Sequence, residues 1–153
     1  MSKERIQSIC SDWDIDVAFI NVTATQLKKS IMDATKPVRE LLKNNGLHDY
    51  ATQEQGTHAK VTLGVFYMDY YFYNTESEKF TESKATLYRP TSGDGDPRIW
   101  FTNIKDYVEA GDVLAIIPNE YRTGLYAFNV ASTKGFDEYI SDMSANMASK
   151  AGL

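Results

Sequence analysis

From Lys60 onward the chain is a succession of strand-forming runs separated by turn residues, and this pattern limits the fold more than any other feature. The segment "KVTLGVFYMDYYFY" (60–73) reads as one long strand or a bent pair, with Gly64 a candidate bulge. After the polar turn "NTESEK" come "SKATLYRP", which Pro90 stops, and "RIWFTNI" from Arg98. "DVLAIIP" is short, continuous and apolar, as a central strand would be. "NEYRTG" then folds the chain back into "GLYAFNVA" as a hairpin. The 10 tyrosines and 7 phenylalanines add to the strand preference.

Helical signals lie on either side of this region. "RIQSICSDW" (5–13) sets Ile6, Ile9, Cys10 and Trp13 at helical spacing. "DIDVAFINV" then alternates as a strand, with Ile15, Val17 and Phe19 on one face and Ala18, Ile20 and Val22 on the other. The stretch "TATQLKKSIMDAT" (23–35) has no clear period. In "TKPVRELLKNNG", Thr35 caps a helix, Pro37 fits its first turn, Val38, Leu41 and Leu42 form its apolar stripe, and Gly46 ends it. Residues 50–60 read as a loop. The tail 134–150 places Phe136, Tyr139, Ile140, Met143 and Met147 on one helical face. The expected class is α+β: one domain over residues 1–153, built as a mainly antiparallel open β-barrel with flanking helices.

At 153 residues the chain can bury one core and is too short for two. No apolar run approaches the roughly 20 residues of a membrane span, and "MSKERIQSIC" lacks a signal-peptide core, so the expected location is cytoplasmic, with no membrane partner. Cys10 alone cannot build a disulfide framework, and with only His48 and His58 beside it a structural zinc site is not expected. A formal charge of −5 excludes a surface coated in positive charge but not a local basic face.

The segment with most chemical candidates is "YRPTSGDGDPRIWF" (88–101). As a phosphate cradle it lacks the P-loop spacing and a following helix, and Asp94 and Asp96 would repel the ligand. As a calcium loop it lacks the later acidic ligand. It reads instead as a loop whose glycines supply positive φ. Glu82-Ser83-Lys84 with Asp69 upstream matches the way metal-dependent nucleases hold Mg²⁺, and reads equally well as a solvated turn. No nucleophile elbow exists, Cys10 falls in an apolar stripe, and His48 beside Asp49 is not a working pair, because chain neighbours seldom face each other.

Two stretches carry positive charge with few close acids. One holds Lys28, Lys29, Ser30, Lys36 and Arg39; the other holds Lys84, Arg89 and Thr91, then Arg98 beside Trp100. Such residues neutralise phosphates and read base edges, although charge alone fits an ordinary solvated face. The order of segments adds information: "VAFINVTA", a Lys/Ser-rich arm, aromatic strands, "ATLYRPTSGDGDPRIWF", "GDVLAII" and "GLYAFNV". This order resembles the DNA-recognition pseudobarrel domains attached to some type II restriction endonucleases, which are related in fold to a plant transcription-factor DNA-binding domain.

The resemblance implies an open barrel that grips double-stranded DNA in the major groove with two arms, here 23–36 and 79–98. It implies that Lys28, Lys29 and Lys36 set register on phosphates, that Arg89 and Arg98 read bases, and that Trp100 lies in the core or stacks on an unpaired or modified base, the core being the expected place. It further implies a module without a catalytic centre or cofactor, partnered by a nuclease domain beyond the tail helix or by a separate nuclease subunit. The aromatic-rich sheet with net negative charge leaves a second expectation open, a small acidic module, of phage or anti-defence type, that binds a ligand or protein.

Overall fold

The computed structural model describes residues 3–68 and 80–131. The tail helix expected over 134–150, the turn 74–79 and Asp69 therefore lie outside the described residues.

The described chain is α+β. Its elements in order are α1 (Lys3–Asp12), β1 (Ala18–Asn21), α2 (Ala24–Lys29), β2 (Ile31–Asp33), α3 (Lys36–Asn44), β3 (Val61–Met68), β4 (Phe80–Tyr88), β5 (Arg98–Phe101), β6 (Val113–Pro118) and β7 (Gly124–Asn129). The seven strands form one nearly closed, barrel-shaped sheet in the order β1-β6-β7-β3-β4-β5-β2. Five of its pairings are antiparallel, and β3 with β7 is the parallel one. Among the described residues no helix is long and apolar enough to cross a membrane.

Period-two alternation builds the interior. Leu63, Val65 and Tyr67 of β3, Ala85 and Leu87 of β4, Ile99 and Phe101 of β5, and Leu114 and Ile116 of β6 point inward and are buried. The α3 helix adds Val38, Leu41 and Leu42 to the same core. Its C-terminus is a Schellman motif: Gly46, at φ +69°, donates to the Lys43 carbonyl and Leu47 to that of Leu42. Thr35 stands at the N-cap as expected, but its side chain makes no capping bond.

A second apolar cluster lies on the outside of the sheet. Ile6 and Cys10 of α1 pack over Ala115, Ile117, Tyr126 and Phe128, with Phe19 and Phe66 at the margin. This explains why β6 reads as a continuous apolar run: it lies between β1 and β7, covered by the core on one face and by α1 on the other. The helix covers only the β1–β6–β7 side. The outward face of β4, β5 and β2 has no such cover among the described residues, and this asymmetry positions the candidate site.

Two local expectations change. Residues 23–35, which have no clear period, form α2 and β2. Thr23 caps α2 by accepting from the Gln26 amide at 3.2 Å, and Ser30 ends it at φ +59°. Gly64 makes no bulge, since the β3–β4 register runs unbroken from Val61 opposite Leu87 to Met68 opposite Phe80. Gly64 marks instead the close passage of β7, where it pairs with Gly124.

Candidate nucleic-acid interface

Register places the outward side chains in rows. Ile31 of β2 lies opposite Trp100 of β5, Trp100 opposite Thr86 of β4, and Thr86 opposite Thr62 of β3. One step along the strands, Asp33 lies opposite Arg98, and Arg98 opposite Tyr88. Lys84, opposite Gly64, continues the face on the other side of the first row. Trp100 is 41% exposed, so its expected place in the core is corrected: it alternates with the buried Ile99 and Phe101 and must point out.

Lys60 completes this surface. Its Nζ lies 5.2 Å from the centroid of the Tyr88 ring and 6.0 Å from that of Trp100. Each cation–π contact at such an exposed place is worth about 0.5–1 kcal/mol, enough to bias the lysine over the aromatics without immobilising it. Among the described residues, the carboxylates of Asp33, beside Arg98, and of Glu82, at the far end of β4 opposite Phe66, share the face.

A basic segment meets this face at one end and the 89–97 loop, which carries Asp94 and Asp96, at the other. Lys28, Lys29 and Ser30 precede β2, and the Ser30 carbonyl accepts from Phe101 N at 3.0 Å, so this segment borders the C-terminal end of β5. Lys105 Nζ donates to the Lys28 carbonyl at 2.9 Å and adds another cation there. The 89–97 loop, with exposed Thr91, borders the opposite end of β5. Three residue steps along β5 separate the two borders, roughly 10 Å. Lys36 and Arg39 stand apart on α3, where they line a hollow of about 280 Å³ with Lys43, Asp49 and Tyr50. Lys36 pairs with Glu40 at 3.8 Å, and Arg39 Nη1 donates to the Ala34 carbonyl at 2.7 Å.

Arg89 has a different task from the one its type suggests. Nε donates to the Gly95 carbonyl at 2.9 Å, Nη1 to that of Gln53 at 3.0 Å and Nη2 to that of Asp94 at 2.9 Å. Gln55 ties the same loop through the carbonyls of Pro90 and Gly93. Gly93 and Gly95 take positive φ, +56° and +68°, as the turn reading requires. Arg89→Met, which keeps the apolar stem and removes three charge-assisted bonds at a partly wet site, is expected to cost about 1–2 kcal/mol. A matching drop in the urea midpoint with an unchanged m-value would confirm the brace. An unchanged midpoint would show that the loop holds without it.

Arg98 differs in having free donors. Its Nε is shielded from solvent 3.5 Å from Asp33 Oδ1, an ion pair without hydrogen-bond geometry. The side chain as a whole is 39% exposed, and among the described residues Nη1 and Nη2 have no protein partner. Asp33 Oδ2 also accepts from Gln26 Nε2 at 3.3 Å.

The remaining chemical candidates separate. His48 Nε2 is 3.0 Å from Gln53 Oε1, whereas Asp49 Oδ1 accepts from Ala51 N, so the two neighbours serve different partners. Cys10 is buried, and desolvation pushes its thiol up to about 11. Glu82 and Lys84 both face outward, and among the described residues no group of three His, Cys, Asp or Glu side chains could hold a metal ion. Sequence reading missed Lys60, Thr62, Thr86, Tyr88, Gln26 and Asp33. The strand members of this set alternate with apolar neighbours, and that signal could have found them. No protein-family model, curated protein or solved structure matches this chain.

Proposed function

We propose that this chain is a DNA-recognition module of a restriction-type system, an open pseudobarrel that binds double-stranded DNA on the outward face of β2–β5–β4–β3. The observation that carries the reading is that one face, without a covering helix among the described residues, bears Arg98, Trp100, Tyr88, Lys84, Thr86 and Lys60 while Lys28, Lys29 and Lys105 border one of its ends. The sheet order supports the open form, since β1 and β2 are its two end strands and do not pair among the described residues. A ribbon of strands fits the major groove, about 12 Å wide, and the bordering lysines would then lie along the phosphates. A nuclease domain or subunit supplies the cutting that this reading leaves to a partner.

Salt titration of duplex binding tests the proposal. A footprint of about five phosphates lowers affinity roughly 500-fold between about 50 and about 200 mM salt. Lys29→Ala is expected to weaken all duplexes alike and to reduce the slope of log K against log salt by about one. Absence of duplex binding at low salt would sink the reading. A second reading, a protein-contact module, is favoured by Tyr121, 79% exposed at the tip of the β6–β7 hairpin. That tip is braced by Asn119, which accepts from Thr123 N at 2.8 Å and from Arg122 Nη1 at 2.9 Å. Rigid aromatic and arginine anchors are common at protein interfaces.

A further inference from the structure

Two buried side-chain polar atoms among the described residues lack a hydrogen-bond partner, Gln26 Oε1 and Arg98 Nε, and both belong to one cluster. Gln26 of α2 donates to Asp33 Oδ2, and Asp33 Oδ1 faces Arg98 Nε at 3.5 Å. The orientation of the Gln26 amide is fixed by this contact, since reversing it would set a carbonyl against a carboxylate. The relay runs from the first basic segment across the β2–β5 ladder. It touches Arg98 at Nε, and among the described residues the terminal pair of nitrogens has no protein partner.

We infer that Gln26 and Asp33 are positioning residues that aim Arg98 at a guanine in the major groove, so that the module prefers a G·C pair at one position of its site. The inference rests on the DNA reading above and adds the base that is read. A guanidinium held from behind at Nε presents Nη1 and Nη2 as two parallel donors. Guanine offers two acceptors, O6 and N7, on its major-groove edge, whereas adenine offers one acceptor beside a donor. The pairing therefore discriminates between purines. A phosphate would take the same two donors without discrimination, which makes it the competing outcome. The half-closed geometry at Nε and Gln26 Oε1 fits a site whose contacts tighten when the bases arrive.

The test selects preferred duplexes from a random library with the wild-type chain. Affinities are then measured for duplexes in which single G·C pairs are replaced by A·T, or single guanines by 7-deazaguanine, which lacks the N7 acceptor. The wild type is expected to lose affinity roughly 5- to 150-fold at one guanine. Arg98→Ala should abolish the preference there and nowhere else. Asp33→Asn should narrow the preference while raising overall affinity, because a carboxylate leaves the phosphate-facing surface; structural damage would lower both. Gln26→Leu keeps the carboxylate and should narrow the preference alone. A uniform loss in Arg98→Ala, with the salt slope reduced by about one, would make Arg98 a phosphate contact and overturn the inference. An unchanged preference in both Asp33→Asn and Gln26→Leu would overturn the relay. Duplex binding without a guanine preference removes this inference alone, whereas no duplex binding removes the DNA reading with it.

Discussion

Gly124→Ala is expected to destabilise the fold by about 3 kcal/mol or more, beyond the usual upper range for one added methyl in a packed interior. A Cβ at this position would run into the Gly64 carbonyl, and the obstacle is backbone in a paired strand, which cannot swing aside as a side chain could. The ordinary gain from replacing glycine by alanine, about 0.4–1 kcal/mol through the unfolded chain, works the other way and is too small to offset the clash. The penalty falls on the parallel β3–β7 pairing, which joins the α1-covered half of the sheet to the half carrying the candidate interface. Denaturant unfolding should show the loss. Gly46→Ala, at φ +69° with open space around its Cβ, isolates the backbone cost and should lose only about 1 kcal/mol. Equal losses in the two variants would mean that β7 does not approach β3 this closely.

The reading of Gly64 shows where sequence logic stops. A glycine inside a strand marks a bulge or a close backbone approach, and only the neighbour that arrives 60 residues later decides between them. Strands β3 to β7 were legible because alternation and turn residues are local. The α3 helix was legible because Pro37, the apolar stripe and Gly46 act over one or two turns. The β2 strand was not, because three residues owe their conformation to pairing with β5 rather than to their own pattern.

The candidate interface divides in the same way. Arg98 and Trp100 could be singled out on one strand, but whether Trp100 points in or out depends on strand phase, which the buried Ile99 and Phe101 set. Arg89 and Arg98 look equivalent in sequence. Tertiary contacts separate them, since the Gln53 carbonyl, 36 residues earlier, and the carbonyls of Asp94 and Gly95 take the donors of the first, whereas among the described residues the terminal donors of the second have no protein partner. Lys60 and Gln26 sat in stretches read as loop or as patternless, so nothing local connected them with the aromatic face.

Stability should fall as pH rises above 9, and three buried groups give the reason. Cys10, fully buried under α1, has its thiol pushed from the ordinary 9.0 up to about 11 by desolvation. Burial also drives the hydroxyls of Tyr50 and Tyr67 well above 10, with Tyr107 and Asp106 adding to the shift at Tyr67, and Arg39 partly opposing it at Tyr50. Below pH 9 all three are protonated in both states and contribute no slope. Above it the unfolded chain ionises first and binds fewer protons than the native one, so stability falls as pH rises toward each folded value. For Cys10 the interval from 9 to about 11 corresponds to about 3 kcal/mol, and the tyrosines extend the loss upward from pH 10. The urea midpoint should therefore decline steadily over this range, and Cys10→Ala should flatten its first part. A midpoint constant to pH 11 would contradict the burial of these groups. Tyr50 couples this loss to the interface, because its hydroxyl donates to the Arg98 carbonyl at 2.9 Å. Ionisation removes that donor and sets a phenolate against the carbonyl, so β5 should loosen beneath the proposed DNA face as the core gives way.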